Sequence, residues 1–465
     1  MSTIARTIGG IVFHQADRHF ELQRGLDLPI AGAPDPAIRA ASPVSQVAII
    51  GDDSIGMKPT MEVEVGNKVK TGQLLFTDKK NPGVKYTSPG CGKIIAIHRG
   101  DKRKFESIIV DLTGEAAVTL IDEPDQPPTN YFPEAIRTIL IDSGLWPSFR
   151  TRPYGKIPPI DATPASLFVT AIDTEPLAPP PENIIARHGS DYNRGLQLLA
   201  IMLDVPRNYC SAKRELLSHE KAEGFNYWAF SGPHPAGLPS THIHCLDPVH
   251  EQKSVWHIGY QDVIAIGYLF RTGQLMTERI VSLAGTGVRE PSLVETRIGA
   301  NIEELCRGEL TEEHLRVVSG SVLSGRTANE IHGFLGRYHN QVSVLPDNSG
   351  RSLFNWAMPG SNRFSVKPVF ISALNNMLKL PMNTALWGGK RAIYPLGTYE
   401  DVMPLDIIPT YLLKALSVGD TEKSKALGCL ELIEEDLALC GFACPGKNEF
   451  GQALRNVLTT IEIEG

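Results

Sequence analysis

Leu167-Phe168-Val169-Thr170-Ala171-Ile172 is an uncharged apolar run between Ser166 and Asp173, half of it β-branched. A continuous run of this length suits a strand buried on both faces, as a parallel sheet covered by helices requires. The flanks agree. Upstream, Phe132 to Ser143 sets Ile136, Ile139 and Leu140 on one helical face, and Gly144 can end that helix. Downstream, Tyr192 to Leu203 carries Leu196, Leu199, Ala200 and Leu203 on one face, with Ser190 or Asp191 as N-cap. Val255 to Ile258 and Arg279 to Ala284 read as further strands. Strands alternating with helices predict a parallel or mixed sheet with helices on its faces.

Outward from this unit the texture changes. Glu123 to Thr129 is proline-rich and reads as a linker. Before it, Val47 to Ile50, Met61 to Val65, Leu74 to Thr77, Lys93 to His98 and Ser107 to Val110 are short β-prone runs punctuated by Gly and Pro, which predicts a small β domain. After it, Glu278 to about Pro346 runs strand, glycine-rich turn, helix and more strands. An irregular stretch follows Asn348, and Leu405 to Gly465 is helical, with Ala453, Leu454, Val457, Leu458 and Ile461 on one stripe. The expected division is an N-terminal extension over 1–22 with no assigned structure, a β domain over 23–122, an α/β domain over 130–275, a third unit over 276–347 and a C-terminal domain over 348–465. Several units are needed, because 465 residues exceed the ~250–300 that one core usually serves.

Charge and cysteine usage narrow the function. With 45 basic and 52 acidic residues the net charge is −7, which argues against sequence-independent nucleic-acid binding. No apolar run approaches the ~20 residues a bilayer span needs; Val263 to Phe270 is closed off by Asp262 and Arg271. Ile8 to Phe13, broken by Gly9 and Gly10, is too short for a signal-peptide core, so a cytoplasmic protein is expected. Seven thinly spread cysteines do not form a disulfide framework.

Six stretches, in order, carry a family pattern. They are Gly25-Leu26-Asp27-Leu28-Pro29-Ile30-Ala31-Gly32, Asp78-Lys79-Lys80-Asn81-Pro82-Gly83-Val84-Lys85, Phe149-Arg150-Thr151-Arg152-Pro153, Gly232-Pro233-His234-Pro235-Ala236-Gly237, Trp356-Ala357-Met358-Pro359-Gly360, and Leu439-Cys440-Gly441-Phe442-Ala443-Cys444-Pro445-Gly446-Lys447. Together they resemble the NqrA family of bacterial sodium-translocating NADH:quinone oxidoreductases, from about Leu22 to the C-terminus. The chain is also similar to the C component of the Rnf complex and to the flavin-bearing component of respiratory complex I.

The resemblance implies a multidomain α/β fold: a biotinyl/lipoyl-like barrel-sandwich hybrid, a Rossmann-like domain, a β-grasp module of the soluble ligand-binding (SLBB) type and a helical C-terminal domain. It implies a peripheral protein on the cytoplasmic face of the bacterial inner membrane. The complex would have six different chains, oxidise NADH, reduce ubiquinone and export sodium. The five partner chains (B to F), with the membrane-embedded B chain the expected neighbour, would hold the flavins and iron–sulfur centres, and this chain none. In respiratory complexes the β-grasp module serves contacts between chains, so it reads as structural.

Each candidate site has a plainer explanation. Val65 to Leu75 and Ser88 to Ile94 resemble the two halves of a lipoyl carrier, whose modified lysine would be Lys79 or Lys80; Pro82 alters that turn, and both read as solvated lysines. No G-x-G-x-x-G follows Ile172. Where flavin-bearing relatives have a glycine loop before this strand, Gly144 to Gly155 carries Trp146, Phe149 and Arg152, so flavin binding is not expected. Glu175-Pro176 reads as scaffold. His242, His244, Cys245 and His250, with His234 nearby, could offer metal ligands, but alternate residues of a strand share a face without any metal. Cys429, Cys440 and Cys444 are one thiolate short of a cubane cluster. For quinone, two segments mix apolar surface with donors: Leu26, Asp27, Leu28 and Pro29, and Phe149, Arg150, Arg152 and Tyr154.

Overall fold

The computed structural model describes residues 5–212, 222–311, 314–348, 359–375, 377–386 and 388–464. Trp356, Ala357 and Met358 of one family motif lie outside the described residues. Strands and helices are numbered along the chain.

The deciding run is β13 (Leu167–Ala171), with all five residues buried. It runs parallel to β14 (Arg207–Ser211) on one side and to β16 (Val255–Gly259) on the other. β15 (Asn226–Ser231) lies parallel beyond β14, and β12 (Arg150–Arg152) antiparallel beyond β16. The spatial order β15-β14-β13-β16 therefore reverses direction between β13 and β16. Helices α1 (Pro133–Asp142), α2 (Pro181–Arg187), α3 (Gly189–Met202), α4 (Pro239–Leu246) and α5 (Tyr260–Thr272) accompany the sheet. α3 begins at Gly189 with His188 at its N-cap position, one residue after α2, so neither Ser190 nor Asp191 caps it. Asp191 instead is buried and accepts from Arg271 Nε at 2.6 Å and Nη2 at 2.8 Å, joining α3 to α5.

The N-terminal stretch, given no structure from sequence, forms β1 (Ala5–Ile8), β2 (Ile11–His14) and β3 (His19–Leu22). β3 pairs parallel with β15, completing an eight-stranded sheet. Aromatic side chains fix it there: Phe20 stacks on Phe230 with ring centres 5.0 Å apart.

The barrel-sandwich hybrid has two sheets. One is β5 (Gln46–Ile50), β11 (Phe105–Gly114), β10 (Cys91–Arg99) and β7 (Lys68–Val69); the other is β6 (Pro59–Met61), β8 (Leu74–Asp78) and β9 (Lys85–Thr87). The strand expected over Met61 to Val65 stops at Met61, and Val65 is exposed. The β-grasp sheet is ordered β20 (Arg326–Thr327), β19 (Leu315–Ser319), β21 (Gln341–Pro346), β17 (Glu278–Ala284), β18 (Ser292–Arg297) and β4 (Asp35–Ala40), with α6 (Ile302–Leu305) beside it. Because β4 pairs with β18, the sheets do not follow contiguous blocks of sequence.

The C-terminal part holds α7 (Thr398–Val402), α8 (Pro409–Val418), α9 (Thr421–Ala426), α10 (Ala438–Ala443) and α11 (Phe450–Glu464). α11 buries Leu454, Val457, Leu458 and Ile461, the 3.6-period stripe read from the sequence. These residues share one core with Phe20, Phe230 and Ile243, so the C-terminal helices pack on the α/β sheet.

Candidate functional site: a cleft at the turning point of the sheet

In an open α/β sheet, the place where strand order reverses leaves a crevice beyond the carboxyl ends of the strands, because the flanking connections depart to opposite faces. Here that crevice opens into a cleft of about 2470 Å³. Its floor comes from the ends of β13 (Thr170, Ile172, Asp173, Glu175) and β16 (Gly259, Tyr260, Asp262). The β-grasp module adds Arg326, Arg337, Tyr338 and His339, and the C-terminal part adds Glu435, Phe442 and Cys444.

The floor is acidic and poorly solvated. Burial pushes the Asp173 carboxyl up to about 7, with the negative charge of Glu175 adding to the effect. Glu175 is likewise pushed up to about 7 by burial, against hydrogen bonds that favour its anion. Those bonds come from Ser321, and from Ser324 Oγ at 2.9 Å, so the loop after β13 is tied to the β-grasp module. Thr170 Oγ1 is buried without a hydrogen-bond partner among the described residues.

Cations stand opposite. The Arg150 guanidinium lies over the Tyr338 ring, 4.5 Å from its centre, and Nη2 is 3.9 Å from Glu435 Oε1. Tyr338 is fixed in turn by donating to Pro147 O at 2.6 Å. Arg337 donates to Ser148 Oγ at 2.8 Å, and Arg326 to Asp53 Oδ1 at 3.1 Å. Arg279 pairs with Asp262 with both side chains largely buried. Below this layer Arg152 is wholly buried. It donates to Ser240 Oγ at 2.9 Å and Glu435 Oε1 at 3.3 Å, and meets His257 Nε2 at 3.0 Å. Ser240 donates onward to Asp436 at 2.7 Å. Burial depresses the Arg152 pKa against the pull of Asp436 and Glu435, and lowers His257 well below the ordinary imidazole value.

The two segments picked out for quinone meet at this cleft, but not with all their residues. Leu28, with its neighbour Ile30, and Arg150 line it. Phe149 is buried elsewhere, packed between Trp146 and Trp256 at ring distances of 5.3 and 5.7 Å. Arg152 is spent in the buried network. Tyr154 packs against the C-terminal helices, where its carbonyl accepts from Arg455 Nη1 at 2.8 Å. Leu26 is half-buried in the adjoining cores, and Pro29 is partly exposed. Asp27 is exposed and accepts from the His234 backbone N–H at 2.9 Å, while Leu26 N donates back to His234 O at 2.8 Å. Two of the family motifs thus zip together. Gly25, at φ +138°, is required there, since a Cβ would sit 2.3 Å from His234 O. Thr170, Asp173, Tyr338 and His339 escape a reading of motifs; their signal is position at strand ends and turns.

The histidines do not converge. His242 and His244 lie on helix α4 rather than on a strand, and residues two apart on a helix do not face one another. His242 Nε2 donates to Ala236 O at 2.9 Å; His244 Nε2 accepts from Asp406 N at 3.0 Å, so its Nδ1 donates to Glu431 at 2.8 Å. His234 meets Thr174 Oγ1 at 3.1 Å, and His250 is exposed. Cys429, Cys440 and Cys444 are buried thiols outside any disulfide. Burial pushes Cys440 up to about 12. It pushes Cys444 the same way, but bonds from Asn448 and Tyr399 outweigh it and hold that thiol below the usual range. No group of three or more His, Cys, Asp or Glu among the described residues could hold a metal ion. Lys79 and Lys80 are exposed on the β8–β9 turn, whose Asn81 Nδ2 donates to Ile157 O at 3.0 Å.

Fold and site define a multidomain α/β protein built around a cleft at a sheet's turning point. Family models match along the chain: the NqrA N-terminal barrel-sandwich hybrid domain over 20–113, the NqrA second alpha/beta domain over 132–275 and the NQRA C-terminal domain over 280–330. The chain is 51% identical over 445 residues to the NqrA protein of the Na(+)-translocating NADH-quinone reductase of Pseudomonas aeruginosa, covering 96% of this chain and 100% of that one. It is 49% identical over 447 residues to the corresponding protein of Rhodopirellula baltica, covering 96% and 98%. The chain belongs to the NqrA family of Na+-translocating NADH-quinone reductases. As such it is one component of a larger sodium-translocating oxidoreductase. A solved NAD+-reducing [NiFe]-hydrogenase overlaps 50% of this chain and 52% of its own at 15% identity, but the TM-score of 0.36 is too loose to support an argument. No helix among the described residues is long and apolar enough to cross a membrane.

Proposed function

We propose that this chain completes a ubiquinone site on the cytoplasmic face of the bacterial inner membrane and holds no redox cofactor. The partner chains B to F, with the membrane-embedded B chain nearest, supply the flavins, iron–sulfur centres and sodium path. One observation carries this reading: Leu28 and Arg150, from two segments far apart in sequence, line the same cleft. A quinone needs apolar surface for its ring and donors for its carbonyl oxygens, and Leu28, Ile30 and Phe442 stand with Arg150 there. A fixed guanidinium binds more strongly as charge builds on the carbonyl oxygen, which favours the reduced forms. Asp173 and Glu175, on the same floor, hold protons near neutral pH, and quinol formation takes up two. On this reading the chain is not catalytic by itself.

A second reading, a scaffold that never touches quinone, is favoured by Phe149, Arg152 and Tyr154, whose groups are engaged in internal packing and hydrogen bonds. Photo-crosslinking of the whole complex with an azido-quinone separates the two. Labels on peptides carrying Leu28 or Arg150 support the site; labels confined to the membrane-embedded chains support the scaffold.

A further inference from the structure

Residues 348–399 contain six basic residues and no acidic one. All 52 acidic residues of this net-negative chain lie outside that stretch, with 39 of its 45 basic ones. The same stretch breaks the rule that large apolar side chains are buried. Eight of the fifteen exposed large hydrophobic residues among those described fall between Val369 and Leu396. Leu374 and Met377 are 86% and 89% exposed, and Leu386 is 74% exposed. Ile371 and Leu374 open and close one 3₁₀ turn, where residues three apart point the same way. Lys379, two residues past Met377, and Lys390 and Arg391, further along the same stretch, are exposed and make no ion pair with another described residue.

Asp401 pairs with Lys367 at 2.7 Å and Asp347 accepts from Thr384 at 2.7 Å, but Lys379, Lys390 and Arg391 keep their charge unpaired among the described residues. Exposed apolar side chains and unpaired cations in a stretch with no acid of its own match one surface above others. That surface is a bilayer bearing anionic phospholipid, which takes apolar groups into the acyl boundary and cations at its headgroups. Nucleic acid would match the charge but not the apolar groups. The stretch also continues into the cleft, where Phe364, Val366, Phe370, Met382 and Leu386 form part of the lining.

We propose that the described part of this stretch seats the chain on anionic phospholipid, with Leu374 and Met377 at the acyl boundary and Lys379 and Lys390 at the headgroups. Lipid binding stands on these residues alone. The further consequence, that the cleft opens toward the lipid from which a quinone would come, rests on the function proposed above.

Flotation of the purified full chain with vesicles tests it. The chain should float with vesicles of phosphatidylcholine and phosphatidylglycerol in equal parts. It should stay behind with pure phosphatidylcholine, and high salt should release it. Lys379→Glu/Lys390→Glu should lower the bound fraction about tenfold, as should Leu374→Ser/Met377→Ser, with unchanged melting curves showing intact folds. None of these four residues lines the cleft. No flotation, flotation indifferent to lipid charge, or variants that float normally would each overturn the proposal. So would binding that appears only when the membrane-embedded partners are built into the vesicles, since the surface then docks protein. Lipid binding that persists while quinone labels miss the cleft would leave this proposal standing and remove the quinone reading.

Discussion

The Arg150 guanidinium sits over the face of Tyr338, 4.5 Å from the ring centre. Arg150 belongs to the α/β sheet and Tyr338 lies between the β-grasp strands β20 and β21, so this contact bridges the two units across the cleft. A cation over an aromatic face contributes about 0.5–2 kcal/mol, and it fixes the guanidinium without using all its N–H donors. The cleft therefore presents an oriented donor set, and its neighbours allow separate tests.

Arg152 is wholly buried amid Ser240, His257 and Glu435, with Asp436 one bond further. Arg152→Ala should cost about 3–5 kcal/mol, because Asp436 and Glu435 lose the charge that balances them. Urea denaturation of the isolated chain measures this; a loss under about 1 kcal/mol would show the network to be dispensable.

Stability should depend on pH through Glu175. Its folded carboxyl is raised to about 7, so between its unfolded value near 4.5 and pH 7 the folded state binds more protons than the unfolded one. Stability from this group thus falls as pH rises through that window and is flat above it. Glu175→Gln, which keeps an oxygen for Ser324, should raise the melting temperature at pH 8 and gain little at pH 5. An equal gain at both would contradict the shift.

Gly32 has φ +85°, and a Cβ there would lie 2.4 Å from the Gly285 backbone. Gly32→Ala should therefore cost at least about 1–3 kcal/mol and loosen the Leu28 segment. Limited proteolysis should cut the variant near residue 30 while the parent resists; identical digestion patterns would show that the segment does not depend on that approach.

His242 and His244 point apart on α4, Cys429 and Cys440 are buried in the core, and Cys444 accepts from Tyr399. Added zinc or a strong chelator should leave the melting temperature unchanged. A rise of several degrees with zinc, lost on chelation, would reveal a site these contacts do not describe.

The apolar run Leu167 to Ile172 was legible because a strand buried on both faces needs unbroken apolar sequence, and the stripe along α11 because its 3.6-residue period matches the face it buries. The helix carrying His242 and His244 was not, since the alternation of the two histidines reads as a strand, yet Pro239 opens α4, where a missing N–H costs nothing. β1 to β3 pair locally with one another, but they escaped because what anchors them, the pairing of β3 with β15, spans some two hundred residues. In the cleft, Leu28 and Arg150 stood out as apolar and cationic residues in unusual stretches. Asp173 and Tyr338 did not, because their roles come from the strand ends that carry them rather than from any local pattern.

The central claim is that Arg150 meets quinone in the cleft, and steady-state kinetics of the whole complex carrying Arg150→Ala tests it most directly. Losing a charged hydrogen bond of ~1.5–3 kcal/mol should raise the apparent quinone KM about tenfold or more. NADH oxidation by an artificial acceptor should stay at the parent rate, because the proposed function places electron entry in the partner chains. An unchanged quinone KM, with Arg150→Ala assembled normally, would contradict the account and leave this chain a scaffold beside the site.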